Sequence, residues 1–150
     1  MGVMRLLLVA VGALTTFTTA RPTMAFEFNP FRQDDRVTIT ADHGGEIARY
    51  AIKLNQIKES NHSVRFAGKC ESACTLYLSL SPEKVCVTPG ASFGFHLPFG
   101  VSTRQVDIAR AYLMDHYPDW VLYWIAAKGG LTSRLKVMPY TYVRHFLPDC

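Results

Sequence analysis

Three features of the chain have residue types and surroundings suited to acyl-transfer chemistry. Gly44-Gly45 lies between a β-branched stretch and a helical repeat. Glycine there lets the backbone approach a ligand closely and leaves N–H groups at a helix start, where they can hold an oxyanion. A structural tight turn would account for the same pair. Ser72 stands between an extended stretch and a helical one, next to the small Ala73. Its hydroxyl would emerge at the turn with the following N–H pointing the same way, as a nucleophile beside an oxyanion donor requires. The other role open to it is that of an N-cap, for which serine is favoured. His96 ends the apolar run Phe93-Gly94-Phe95. A neutral imidazole there can take a proton from Ser72, and a buried structural histidine is the alternative. His43, His62, His116 and His145 have no comparable surroundings and read as surface or loop residues.

The elements that must position these residues follow from periodicity. Arg36-Val37-Thr38-Ile39-Thr40 alternates and is β-branched, which predicts a strand ending at Asp42-His43-Gly44-Gly45. Ile47, Tyr50, Ala51, Leu54 and Ile57 recur at helical spacing. Val64 to Ala67 predicts a second strand, leading through Gly68-Lys69-Cys70-Glu71 into Ser72. Ala73, Leu76, Tyr77 and Leu80 then form another helical face, which Pro82 ends. Val85 to Thr88 predicts a third strand, broken by Pro89-Gly90 and continued in extended form by Phe93 to Leu97. Strands alternating with helices imply parallel pairing with right-handed crossovers, which collect the strand-to-helix loops at one edge of the sheet. Gly44-Gly45, Ser72 and His96 all fall at that edge. The last third reads as helical. Ser102-Thr103-Arg104-Gln105 has a capping-box pattern, Pro118 to Lys128 is a helix stopped by Gly129, and Pro139 opens a short final helix.

Composition narrows the function. A chain of 150 residues with 49% hydrophobic and 19% charged residues predicts one globular domain with a core. Lys and Arg number 16 against 12 Asp and Glu, and Arg5 and Arg21 lie in the first 25 residues, leaving 14 against 12. That balance carries no electrostatic footprint for nucleic acid. Arg5, the apolar run Leu6 to Leu14 and small residues at Ala20 and Ala25 read as a cleaved signal peptide over residues 1–25. The mature domain, residues 26–150, would then be periplasmic or secreted; an uncleaved N-terminus acting as a membrane anchor is the alternative. The four cysteines, Cys70, Cys74, Cys86 and Cys150, agree with export as two disulfides of open connectivity. Zinc would need a second close pair, so neither a metal nor another cofactor is expected.

At this point the arrangement resembles a known family. Gly-Gly opening a helix, then Ser72-Ala73-Cys74-Thr75-Leu76-Tyr77-Leu78, then Pro89 through Phe93-Gly94-Phe95-His96-Leu97-Pro98, is similar to the proteolytic subunit of Clp protease, in the crotonase superfamily. The resemblance spans residues 36–98, with 27 residues from Gly45 to Ser72 and 24 from Ser72 to His96. Shortened, exported bacterial relatives share the Cys-x-Ser-Ala-Cys-Thr and Gly-Phe-His pieces and resemble the chain most. The resemblance implies an α/β fold with a crotonase- or Clp-protease-like βαβ core, parallel strands and a helical C-terminal third. It also implies that Ser72 is the nucleophile, that His96 is the base, and that Gly45 and Ala73 are oxyanion donors. The family orients its histidine with an aspartate from a stretch matching Tyr142 to Leu147, which contains no carboxylate here. Asp119 or Asp115 would have to substitute. No counterpart of the handle helix is visible, so neither the double-ring barrel nor an unfoldase partner is expected, and homo-oligomerisation is left open.

Three functions fit these features. The first is a small exported serine hydrolase, peptidase-like, acting on a peptide or small acyl substrate through a Ser72-His96 dyad. The second is a catalytically silent binding or structural module on the same scaffold. The third is a thioester site using the oxyanion pair without Ser72, for which no adenine or pantetheine signature is present. Protein recovered from the cell envelope should begin near Arg21 or Phe26 on N-terminal sequencing; an intact Met1 on membrane-embedded protein would indicate the anchor.

Overall fold

The structure is a computed structural model that describes residues 35–99 and 102–150. The expected signal segment, residues 1–25, and residues 26–34 after it lie outside the described residues. The described residues begin with β1 (Arg36–Asp42), α1 (Ile47–Glu59) and β2 (Ser63–Glu71), and pass into a 3-10 helix over Ser72–Ser79. A 3-10 turn at Pro82–Lys84 leads to β3 (Val85–Val87) and β4 (Ser92–Phe95). Then come α2 (Thr103–His116), α3 (Asp119–Ala127), β5 (Lys136–Pro139) and α4 (Tyr140–Val143). This is a mixed α/β architecture on a mostly parallel sheet.

The sheet runs β1-β2-β4-β5, with β3 also paired to β2. β1, β3 and β4 all lie parallel to β2. β3 and β4 share one edge of β2 end to end: Val64, Arg65 and Phe66 face β3, whereas Lys69, Cys70 and Glu71 face β4. The turn between them is closed by Ala91 N–H donating to the Thr88 carbonyl at 2.9 Å. Opposite Ile39 to Ala41 the register of β2 slips by one residue. Gly68 sits in this bulge, where a Cβ would come within 1.9 Å of the Thr40 carbonyl oxygen, so only glycine fits.

Local sequence explains most of these elements. Tyr50, Leu54 and Ile57 form the buried stripe of α1 at spacings of four and three. Gln105 Oε1 accepts from the Ser102 N–H at 3.2 Å, satisfying one amide at the start of α2. The segment after Ser72 winds as a 3-10 helix rather than the expected one-faced helix. Thr75 and Ser79 each donate a hydroxyl to the carbonyl three residues back, at 2.6 and 2.7 Å, which favours the tighter turn. It is also buried on all sides, from Ala73 to Leu78. The last third is not purely helical, because Lys136–Pro139 pairs antiparallel with β4. Only Met138 of that strand is buried, so its pairing comes from the neighbouring backbone rather than from its own alternation.

The core is built on the buried residues of β2 and β4. Phe66 meets Phe93 edge-on at 4.9 Å, and Phe95 packs on Tyr117 and Trp124 at 5.6 Å each. The cysteines pair as Cys70–Cys74 and Cys86–Cys150. The first bridge spans the turn that carries Ser72. The second fixes the tail beside β3, where Val87 also exchanges backbone hydrogen bonds with Pro148 and Cys150 at 2.9 and 3.0 Å. Non-reducing peptide mapping should recover these two pairings. Because the second bridge closes a loop of 64 residues, replacing Cys86 and Cys150 together by serine should cost about 4 kcal/mol in denaturant unfolding, against about 2 kcal/mol for Cys70 and Cys74. Four alkylatable thiols in the native protein would defeat both expectations.

Candidate active site

Parallel pairing carries the ends of β1, β2 and β4 to one edge, and each continues into a residue of interest: Gly44-Gly45, Ser72 and His96. Ser72 has φ +56°, the one non-glycine residue in the left-handed region among those described. A Cβ there crowds the backbone, so neighbouring structure must hold it in place. Three constraints converge on it. The Cys70–Cys74 bridge spans it. Thr75 Oγ1 donates to its carbonyl at 2.6 Å, and the Tyr117 hydroxyl donates in turn to Thr75 Oγ1, also at 2.6 Å. Burial pushes the Tyr117 hydroxyl far above its ordinary pKa, so it stays a neutral donor. Neither Thr75 nor Tyr117 stood out in the sequence, because 42 residues separate them.

The loop bearing Gly44 and Gly45 is packed directly on this elbow. Gly44 has φ +79°, and a Cβ on it would meet the Glu71 carbonyl oxygen at 2.6 Å and the Ala73 nitrogen at 2.8 Å. Its N–H donates to Asp42 Oδ1 at 2.8 Å, an oxygen that also accepts from the Tyr50 hydroxyl at 2.5 Å. Burial, reinforced by that bond to Asp42, raises the Tyr50 hydroxyl well above its usual range. Tyr77 is pushed up to about 12 by burial and then by Asp42. The Asp42–Tyr50 pair thus anchors the glycine loop and commits the Gly44 N–H.

Ser72, His96, Gly44 and Gly45 line one cavity of about 420 Å³, walled by Ile47, Phe99, Gln105 and Leu113. Ala73 is buried directly behind Ser72. His96 Nδ1–H donates to the Leu97 carbonyl at 2.8 Å, which leaves Nε2 as the acceptor of the neutral ring. No hydrogen bond joins the Ser72 hydroxyl to the His96 ring among the described residues; such bonds often tighten only around a bound substrate. Asp119 is exposed at the first turn of α3 and is not among the residues lining the cavity. Asp115 is likewise exposed and lies beside His116 at 3.7 Å.

His43, which reads as a loop residue in the sequence, is exposed but lines this cavity, and its Nδ1–H donates to Glu71 Oε2 at 2.7 Å. The only sequence signal for that pair was position, since each residue immediately precedes a candidate site residue. An apolar groove of about 450 Å³ between α1 and α2 continues from the cavity, sharing Ile47, Gln105 and Ala109 and reaching Ile52 and Ile108. A larger cleft, about 560 Å³, opens between Val37 and the far end of α1; Ser60 and His62 line it, with Oγ and Nδ1 2.9 Å apart on the exposed turn after α1. No cluster of metal-binding side chains occurs among the described residues.

No protein-family model matches the chain, and no curated protein matches it either. Among solved structures it is similar to the ClpP1 N165D mutant from Listeria monocytogenes, at 17% sequence identity and a TM-score of 0.44, covering 75% of this chain and 70% of that one. Gly44→Ala tests the tight contact between the two loops. The clash with Glu71 and Ala73, added to the strain of φ +79°, should destabilise the fold by about 2 kcal/mol in thermal or denaturant unfolding. Gly45→Ala, with open space around its Cβ but φ +151°, should cost less.

Proposed function

We propose that the chain is an exported serine hydrolase of peptidase type. The observation that supports this most is Ser72, held at φ +56° on a strand-to-helix turn and facing one cavity with His96 and Gly45. A serine under that strain needs several compensating contacts, which makes a mere N-cap an expensive explanation. The motif resemblance set out above points the same way.

In this reading Ser72 Oγ attacks the carbonyl carbon of a peptide or acyl substrate while His96 Nε2 removes its proton. The N–H groups of Gly45 and Ala73 stabilise the resulting oxyanion, usually the largest single contribution in such sites. His96 then returns the proton to the leaving nitrogen or oxygen as the bond to it breaks. Water attacks the Ser72 ester next, giving a proton to His96, which passes it to Ser72 Oγ as the acyl–oxygen bond breaks, so the acid product leaves with Ser72 and the neutral ring regenerated. The Leu97 carbonyl replaces the usual carboxylate as the group that sets the His96 tautomer. It supplies orientation without a full negative charge to stabilise the imidazolium. The apolar groove beside the cavity suits an apolar portion of the substrate.

Among the described residues no carboxylate bonds the His96 ring, which favours a second reading, a silent binding module on the same scaffold. A serine-directed phosphonate should label the purified mature protein at Ser72. Ser72→Ala should abolish labelling together with peptide or ester hydrolysis, and His96→Ala should slow both by about 10²- to 10⁴-fold. No labelling of the wild type, and no turnover across varied esters and peptides, would establish the silent module.

A further inference from the structure

We infer that His43 and Glu71 form a positioning pair that holds the glycine loop against the Ser72 elbow; this inference rests on the hydrolase reading above. Neither residue has a role in the proton transfers just described. Each nevertheless directly precedes one half of the candidate machinery, His43 before Gly44-Gly45 and Glu71 before Ser72. Their side chains close on one another at 2.7 Å across a sequence separation of 28.

The placement of Glu71 is built into the sheet. In the β2–β4 register it faces Gly94, and a Cβ on Gly94 would meet Glu71 Cγ at 2.8 Å. The missing side chain at Gly94 is therefore the space through which the Glu71 stem passes. Gly94 itself lies two residues before His96. One carboxylate side chain thus rests on the strand that carries the base, belongs to the strand that carries the nucleophile, and bonds the loop that carries the oxyanion donor. The Glu71 side chain keeps 21% of its exposure, against 73% for His43, so the carboxylate is the more screened partner from water. A hydrogen bond to a carboxylate fixes the ring more firmly than one to a neutral acceptor.

The consequence is kinetic. Two oxyanion donors on separate loops act together only if the distance between the loops is held, and misplacement by about 1 Å can cost about 10²-fold in rate. Asp42 and Gly44 hold the loop from its inner side, and the His43–Glu71 bond holds it from the solvent side. Its loss should lower the rate of the chemical step and leave ground-state binding nearly unchanged.

The test is the second-order rate of phosphonate labelling at Ser72, with kcat and KM on an ester substrate measured in parallel. His43→Ala and Glu71→Ala should each slow labelling by about 10- to 100-fold. KM and the thermal midpoint should stay close to wild type, and the double variant should be no slower than either single one. Glu71→Gln keeps an acceptor and His43→Asn keeps a donor near the Nδ1 position, so both should recover most of the rate. Wild-type rates in both alanine variants, or losses that multiply in the double variant, would overturn the positioning pair while leaving the hydrolase reading intact. A loss in His43→Asn as deep as that in His96→Ala would overturn it as well, because His43 would then be acting as a base. A wild-type protein that phosphonate does not label would remove both the pair's role and the hydrolase reading.

Discussion

A serine in the left-handed region costs about 1–2 kcal/mol relative to ordinary backbone, and much of the molecule around Ser72 bears on keeping it there. The Cys70–Cys74 bridge restricts the turn covalently from both sides. Thr75 and Tyr117 hold its carbonyl from the helical layer. The segment from Ala73 to Leu78 is buried without an exposed face, so the turn cannot relax outward without exposing core. Each of the hydrogen bonds is ordinary in strength, about 1 kcal/mol. Together they over-determine one conformation, which is how strained residues persist in folded proteins.

The sheet supplies the second layer of constraint. β2 is its organising strand, because β1 occupies one side and β3 and β4 divide the other. The bulge at Gly68 falls between the β3-paired and β4-paired portions, and close contact with the Thr40 carbonyl locks it. Past the bulge, Cys70 points into the core and Glu71 towards Gly94, so the register of that short segment sets both the disulfide and the carboxylate. The C-terminal tail completes the sheet by covering β3, and the Cys86–Cys150 bridge fastens it.

The two histidines at the cavity have different electrostatic partners. His96 is oriented by a neutral carbonyl, and His43 by a carboxylate. A carboxylate stabilises the protonated ring, whereas a carbonyl mainly selects the tautomer. The buried tyrosines around Asp42 remain neutral and serve as scaffolding rather than as acids.

Local pattern settled a good part of this protein. The β-branched run at Val37 to Ile39, the stripe Tyr50, Leu54 and Ile57, and the glycine at 129 are one-dimensional signals, because alternation and helical spacing record which face of an element is buried. Alternation of strand and helix also implied that Gly45, Ser72 and His96 would meet at one sheet edge, since right-handed parallel crossovers leave little choice. Tertiary packing decided the rest. β5 has almost no pattern of its own and exists because β4 offers an edge. The cysteine pairing followed from which backbones lie side by side, and Asp119 is exposed on α3 outside the cavity lining. The contacts of Thr75 with Tyr117 and of His43 with Glu71 join residues 42 and 28 positions apart. No local preference encodes such meetings: a single residue's type states what it can bond, and only the packed arrangement of strands and loops determines which partner it reaches.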